Sequence, residues 1–103
     1  MSECVAIVGA SGVLGRATLP RLLEAGYRVR ALVRHEAQAT RLAALGAESV
    51  VGDILQPESL PTLLQGCDAA MHLATAIPRN RATADWSLND RIRREGTACL
   101  LSA

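Results

Sequence analysis

The chain has 103 residues, half of them hydrophobic, and a formal net charge of +1, which together fit one compact domain spanning residues 1–103. The near-neutral charge gives no electrostatic reason to expect a nucleic-acid partner. No apolar run approaches the ~20 residues that a membrane-spanning helix needs, and the first residues lack the basic-then-apolar pattern of a secretion signal, so we expect a cytoplasmic protein without a membrane partner.

The first element is an apolar strand that leads into a glycine-rich turn. Val5, Ile7 and Val8 precede Gly9, and apolar residues recur at helical spacing after Gly15. The order strand, glycine turn, helix directs free N–H groups and the positive end of a helix dipole towards one point. This arrangement is typical of a site for a diphosphate.

The glycines of this turn have separate predicted roles. Gly9 permits a tight exit from the strand, Gly12 leaves room for a phosphate near the backbone, and Gly15 lets the helix pack against the sheet. Their spacing is Gly-x-x-Gly-x-x-Gly, whereas the general dinucleotide fingerprint is Gly-x-Gly-x-x-Gly. A glycine-rich turn without a binding function is the alternative, and the flanking strand and helix favour the dinucleotide site.

The rest of the chain repeats strands and helices in alternation. The predicted elements are, in chain order, a first helix ending near Gly26, a strand at Tyr27–Val33, a helix at Glu36–Leu45, a strand at Ser49–Val51, a helix from Pro57 to Gly66, a strand at Asp68–Ala74, a loop at Ile77–Thr83 and a helix from about Asp85 to Ala103. Short connections favour right-handed crossovers. We therefore predict an α/β Rossmann-type fold, a parallel sheet of four strands in the order 3-2-1-4 with helices on both faces.

The residue types also bear on metal and disulfide chemistry. Cys4, Cys67 and Cys99 are far apart in the sequence, with no Cys-x-x-Cys pair, which predicts buried, reduced thiols and no metal site. All eleven basic residues are arginines.

The second strand ends with Arg34, and this residue bears on the choice of cofactor. NAD(H) is usually recognised by an acidic residue at this place, about 20 residues beyond the glycines. An arginine would instead pair with the 2′-phosphate of NADP(H). We therefore predict that NADP(H) is favoured over NAD(H). A solvated charge at the strand end is the alternative.

Five segments in this order resemble one known family. They are Val5–Arg16, Arg30–Arg34, Val50–Ile54, Met71–Thr75 and Arg94–Ala103, so the resemblance extends over essentially the whole chain. They are similar to the N-terminal half of the extended or atypical short-chain dehydrogenases/reductases, the group of NAD-dependent epimerases/dehydratases and NmrA-like proteins. Arg93 departs from the pattern, because much of the family has an asparagine there.

The resemblance implies roles for particular residues. The pyrophosphate would be held by the turn residues Gly9, Ser11, Gly12, Val13, Leu14 and Gly15. The adenine would be bordered by Asp53 and Ile54, and the ribose and nicotinamide by Ala74, Thr75 and Ala76. The helix after residue 85 would lie in a homodimer interface.

The residues present do not include the catalytic pair of the family. Its redox enzymes use Tyr-x-x-x-Lys, whereas Tyr27 is the one tyrosine here and the sequence has no lysine. His72 is an alternative acid or base, although a lone histidine inside a strand is more often a satisfied core residue. We expect the NADP(H)-binding part of a longer oxidoreductase or epimerase/dehydratase, truncated before strands 5 and 6 and acting on an unknown small molecule. A non-catalytic NmrA-like dinucleotide sensor is the alternative.

Overall fold

The computed structural model describes residues 3–76 and 85–103, and the loop predicted at Ile77–Thr83 lies outside them. The elements are β1 (Cys4–Val8), α1 (Val13–Glu24), β2 (Arg28–Val33), α2 (Glu36–Leu45), β3 (Glu48–Val51), a 3-10 turn (Pro57–Ser59) that continues into α3 (Leu60–Leu64), β4 (Ala69–His72) and α4 (Ser87–Ser102). The alternation of strands and helices is the one that the sequence predicts.

The four strands form one sheet in the order β3-β2-β1-β4 with every pair parallel, which confirms the predicted topology. In the central strand, Val5 is paired with Val29 on one side and with Ala69 on the other. From β1 the chain passes first to β2 on one side and later to β4 on the opposite side. This reversal leaves a crevice beyond the carboxyl ends of β1 and β4, where open α/β sheets bind ligands.

Helices cover both faces of the sheet, as predicted. Val5 and Ile7 of β1 belong to a core cluster that includes Leu19 of α1 and Leu42 of α2. The alternate residues of β1, Ala6 and Val8, belong to a second cluster with Leu60 and Leu63, against which Ile92 of α4 also packs. Because β1 is buried on both faces, its uninterrupted apolar sequence is the one expected for a central parallel strand.

Helix α1 begins earlier than predicted. Gly12 is its N-cap residue, with φ −78° and ψ −178°, so the helical conformation starts at Val13. The amide of Arg16 already donates to the carbonyl of Gly12 at 2.9 Å. Leu14 and Gly15 therefore lie in the first helical turn and not in a loop before it.

Arg30 ties the start of β2 to the end of α3. Its Nη1 donates to the carbonyls of Leu63 at 3.1 Å and Gln65 at 2.5 Å, which a helix end leaves without intrahelical partners. Its Nε donates to Glu48 Oε2 at 3.1 Å, and Arg28 binds the other oxygen at 2.8 Å. Hydrogen bonds from Arg28 and Arg30 hold the pKa of the Glu48 carboxyl below its usual value.

The cysteines are free, as predicted, but they are less buried than expected. Cys4 alone is fully buried, while Cys67 and Cys99 are partly exposed. The fold brings Cys4 and Cys67, 63 residues apart in the sequence, to a distance of 3.0 Å between their Sγ atoms. The sequence carries no signal that predicts this contact.

Candidate functional site

The candidate site is built on the turn between β1 and α1, where Gly9 brings two strand ends together. Gly9 has φ +92°, a conformation that favours glycine. A Cβ on it would lie 2.5 Å from the backbone nitrogen of Ala74. Gly9 therefore permits the tight exit from β1 that the sequence predicts, and it also lets the chain leaving β4 cross at close range.

The other two glycines of the turn differ in the space around them. A Cβ at Gly12 would meet one described atom within 4 Å, the carbonyl oxygen of Gly9 at an ordinary 3.5 Å. A Cβ at Gly15 would overlap that same oxygen and would lie 2.5 Å from the carbonyl oxygen of Ala10. Gly15 thus packs against the turn, whereas the sequence predicted that it packs against the sheet. Among the described residues, the space beside Gly12 is open.

The amino end of α1 is free to receive an anion. No acidic side chain occupies its first turn, and no side chain caps it in the described part of the chain. Ser11 is exposed, as are the apolar side chains of Val13, at 89%, and Leu14, at 62%. Arg16 folds back so that its Nε donates to the carbonyl of Ser11 at 3.0 Å. Uncapped N–H groups beside a guanidinium are a favourable setting for a phosphate.

A cleft of about 670 Å³ opens beside this turn, between the end of β4 and helix α4. Its lining residues are Leu14, His72, Leu73, Ala74, Thr75, Asp90, Arg93, Arg94 and Thr97. The fold therefore brings Leu14 from the glycine turn together with Ala74 and Thr75, as the resemblance implies. Arg93, which replaces the asparagine of the family pattern, lies in the same cleft.

Asn89 holds the chain that leaves β4 against α4. This side chain is 5% exposed, and its Oδ1 accepts a hydrogen bond from the Ala76 amide at 3.0 Å. A buried amide that fixes a backbone segment at the rim of the cleft positions the segment for a ligand. The sequence analysis did not find Asn89, because no motif marks it and its role depends on contacts between distant segments.

Arg34 and Asp53 follow β2 and β3 at the same edge of the sheet but do not line the cleft. Arg34 is exposed, and its guanidinium has no hydrogen-bond or ion-pair partner within residues 3–76 and 85–103. The Gly52 amide donates to the carbonyl of Val33 at 2.8 Å, so the two strand ends are adjacent. Arg34 and Asp53 therefore lie on the opposite side of β1 from the cleft, beyond the ends of β2 and β3.

Asp53 and Ile54 also have structural roles. Asp53 Oδ1 accepts a hydrogen bond from the Leu55 amide at 2.8 Å, which shapes the turn after β3. Ile54 is 7% exposed and belongs to the core cluster beneath α4. A Cβ at Gly96 would lie 2.7 Å from Ile54 Cγ1, so this glycine of α4 allows the close packing.

His72 is only partly satisfied, which differs from the expected core role. Its Nε2 lies 3.1 Å from the carbonyl oxygen of Ile92. Its Nδ1 is buried, and no hydrogen-bond partner for it occurs among the residues that the structure describes. His72 borders the cleft, with one ring nitrogen held by α4 and the other unpartnered among the described residues.

Together, the parallel sheet, the glycine turn at its switch point and the uncapped α1 define a Rossmann-type dinucleotide-binding domain. A model of the NAD(P)H-binding family matches residues 9–102. The chain belongs to this NAD(P)H-binding family, among the atypical short-chain dehydrogenases/reductases.

Relatives of the chain include proteins with different described roles. It is 40% identical to photosystem II assembly factor Ycf39 of Trieres chinensis over 83 residues, 78% of this chain and 26% of that protein. It is 43% identical over 77 residues to 4-hydroxy-2-methyl-3-oxo-4-farnesyl-3,4-dihydroquinoline-1-oxide ketoreductase of Stigmatella aurantiaca, 75% of this chain and 23% of that protein. The chain thus spans about a quarter of these relatives.

A solved structure shows the same fold with a cofactor. A short-chain dehydrogenase/reductase superfamily protein from Agrobacterium tumefaciens, solved with bound NAD, is 26% identical and superimposes with a TM-score of 0.72. The match covers 97% of this chain and 28% of that one.

A metal site and a membrane-spanning helix are both absent from residues 3–76 and 85–103. In these residues, no group of three or more His, Cys, Asp or Glu side chains is placed to hold a metal ion. None of the helices in the same ranges combines the length and the apolar character needed to cross a membrane.

Proposed function

We propose that this chain is the cofactor-binding part of a reductase and that it prefers NADP(H) to NAD(H). The observation that carries the proposal is the open, uncapped start of α1 beside Gly12. A side chain there would occupy the space that a diphosphate needs. The residues therefore fit a dinucleotide, which when bound would supply or accept a hydride.

The backbone of the turn would bind the diphosphate. Amides at the start of α1, including those of Val13 and Leu14, are the groups that a helix leaves without acceptors. Ser11 would add a hydroxyl on the exposed side of the turn. Gly15 contributes indirectly, because its missing Cβ allows α1 to begin so close to the turn.

The other predicted residues would contact the remaining parts of the cofactor. Asp53 and Ile54 would border the adenine beyond β3, and Ala74, Thr75 and Ala76 would line the ribose and nicotinamide beyond β4. Small side chains after β4 and the Asn89 contact that holds Ala76 support this assignment.

Preference for NADP(H) rests on Arg34. Its guanidinium is exposed at the end of β2, with no carboxylate bound to it among the described residues. A cation at this place attracts a 2′-phosphate, whereas NAD(H) offers a hydroxyl that gains more from an acid. Arg16, which donates a hydrogen bond to the Ser11 carbonyl, adds positive charge near the glycine turn between β1 and α1.

The test is calorimetric titration of NADPH and NADH into the chain and into its Arg34→Ala variant. Charge-assisted hydrogen bonds contribute roughly 1.5–3 kcal/mol, so NADPH affinity should fall by about 10–100-fold. NADH affinity should stay within about twofold. Arg21→Ala removes an exposed arginine from the last turn of α1 and is the matched control. Equal losses for both cofactors would remove the argument for NADP(H).

A second candidate is a dinucleotide sensor that does not turn the cofactor over. It is supported by the similarity to photosystem II assembly factor Ycf39 of Trieres chinensis, a name that describes no reductase activity. Because these residues lack the Tyr-x-x-x-Lys pair, the test needs the longer protein that the proposal assumes, in which a reductase should oxidise NADPH, followed by absorbance, when offered a panel of small ketones and quinones. Tight NADPH binding without consumption would favour the sensor.

We also propose that α4 contributes to a homodimer. Leu88 and Leu101 on this helix are 52% and 83% exposed, which is unusual for large apolar side chains. Light scattering after size exclusion should give twice the mass of one chain. A Leu101→Asp variant should shift the equilibrium towards the monomer, and a monomer in both cases would contradict the proposal.

A further inference from the structure

Cys4 and Cys67 form a thiol pair at the amino edge of the sheet, opposite the dinucleotide site. Cys4 is the first residue of β1, and Cys67 comes two residues before β4. Their Sγ atoms are 3.0 Å apart. A disulfide needs a separation of about 2.05 Å, so a small side-chain rotation would join them.

Hydrogen bonds between Cys4 and Asp68 hold the two cysteines in neighbouring segments of the chain. The carbonyl of Cys4 accepts a hydrogen bond from the Asp68 amide, and the Cys4 amide donates to Asp68 Oδ2, both at 2.8 Å. Cys67 is thus a diagonal neighbour of Cys4 across two adjacent parallel strands. Such neighbours have Cα atoms about 6 Å apart. Most disulfides join Cα atoms at about that distance. The Sγ separation of 3.0 Å shows that the two side chains already face each other.

The two thiols differ in access. Cys4 is 2% exposed, whereas Cys67 is partly exposed. Cys67 is therefore the sulfur that a reagent in solution reaches first, and Cys4 is held behind it. This pairing of an accessible and a shielded thiol is the arrangement needed for attack followed by resolution.

Charged groups around the pair set its reactivity. Arg30 Nη1 lies 3.7 Å from Cys67 Sγ and favours a thiolate there. Burial and the hydrogen bond with Cys4 disfavour the thiolate, and so does the negative charge of Glu48. Together these effects outweigh Arg30 and raise the pKa of Cys67 to about 11. The carboxylate of Asp68 also faces the Cys4 backbone. The thiolate is therefore scarce at neutral pH and becomes more abundant as the pH rises.

We propose that Cys4 and Cys67 are a dithiol modification site, which small disulfides such as oxidised glutathione convert to an intramolecular disulfide. The Cys67 thiolate attacks one sulfur of the small disulfide, forms a mixed disulfide and releases one small thiol. The Cys4 thiolate then attacks Cys67 Sγ and releases the second small thiol. The two cysteines lose two electrons and two protons, and the small disulfide gains both.

The bond would join the start of β1 covalently to the start of β4. Every element between them, from α1 to α3, lies within the closed loop. Such a crosslink restricts the unfolded chain and should raise the melting temperature by about 10 °C or more. Because the pair lies at the edge of the sheet away from the glycine turn, this inference does not depend on the proposed cofactor.

The test treats the chain with oxidised glutathione and follows intact mass, peptide mapping and melting temperature. We expect loss of two hydrogen atoms, a linked Cys4–Cys67 peptide, and a rate that rises about tenfold per pH unit below the pKa of Cys67. The variants distinguish the two steps. Cys4→Ala should stop at a glutathione adduct on Cys67, Cys67→Ser should leave Cys4 unmodified, and Cys99→Ser should behave as the wild type.

Some results would overturn the proposal. One is a lasting glutathione adduct on Cys67 in the wild-type chain, since it means that Cys4 does not resolve it. Another is a disulfide that involves Cys99. A third is equal adduct formation on Cys4 in the Cys67→Ser variant, which contradicts the order of access. Circular dichroism of each variant identifies any change that comes from misfolding.

Discussion

Replacing Gly12 with valine should abolish dinucleotide binding while leaving the fold intact. The backbone of Gly12 is extended, a conformation that valine adopts readily. Its Cβ would meet the Gly9 carbonyl oxygen at an ordinary 3.5 Å, so the protein itself has room for the new side chain. The isopropyl group would instead fill the space beside the first amides of α1, where a diphosphate is expected.

The magnitude follows from the groups that the valine would separate. Losing two charge-assisted hydrogen bonds between phosphate oxygens and helix amides costs about 3–6 kcal/mol. That corresponds to a loss of at least ~100-fold in affinity for NADPH and NADH alike. Stability should change by less than ~1 kcal/mol, because valine is a poorer N-cap than glycine but also restricts the unfolded chain.

Calorimetry with both cofactors and thermal unfolding measure these two quantities on the same samples. Ala17→Val is the matched control, since it leaves the same isopropyl side chain at an exposed position further along α1. The control should bind both cofactors like the wild-type chain. If Gly12→Val still bound them normally, the diphosphate would not lie beside Gly12, and the assignment of the turn would be wrong.

Other substitutions test the packing around the site. Gly15→Ala should destabilise the chain by about 2 kcal/mol or more, because its Cβ would overlap backbone oxygens of the turn, and chemical denaturation would measure the loss. Arg30→Met should cost about 2 kcal/mol, because it leaves the carbonyls at the end of α3 without a donor; an unchanged denaturation midpoint would contradict this role. Glu48→Gln should lower stability by at most ~0.5 kcal/mol at pH 7, since the Glu48 side chain is 48% exposed. The pKa of Glu48 is lower in the folded chain than its ordinary value of 4.5, so the stabilisation by Glu48 is fully present above pH 4.5. It is lost as the pH falls through the lower pKa of the folded chain. The stabilities of the wild type and of Glu48→Gln should therefore converge in acid.

The strand order could be predicted from the sequence because local signals and general topology rules agree. Each strand of this sheet is a short run bounded by glycine or polar residues, and right-handed crossovers then leave few arrangements. Gly9 is the clearest case, since a glycine that ends an apolar strand predicts the positive φ that the structure has. The start of α1 was placed too late because the extended Gly12 acts as the N-cap, which depends on its dihedral angles and not on periodicity.

The contacts between distant segments could not be predicted in the same way. Cys4 and Cys67 meet only because the register of β1 and β4 sets Cys4 beside Asp68. Asn89 is an ordinary polar residue in the sequence, yet it is buried where α4 meets the chain leaving β4. Arg30 alternates in β2 as a surface residue would, but its long side chain reaches the end of α3. In each case the role follows from three-dimensional packing that single-sequence periodicity does not contain.

The position of Tyr27 limits the chemistry that these residues can perform. Its amide donates to the Leu22 carbonyl at the end of α1, so it lies at the amino edge of the sheet, one whole strand away from Arg34. Six residues of strand span about 20 Å, several times the length of a tyrosine side chain. A hydride acceptor in the cleft between Thr75 and Arg93 would therefore receive its proton from a group other than Tyr27. His72 is a described side chain to test for that role, because it borders the cleft and its Nδ1 has no partner in the described residues; that atom is buried, so it would have to become accessible when a substrate binds. In the longer protein that the proposal assumes, His72→Asn should leave NADPH affinity within about threefold if the ring only packs against α4, and a selective loss of turnover would point to proton transfer.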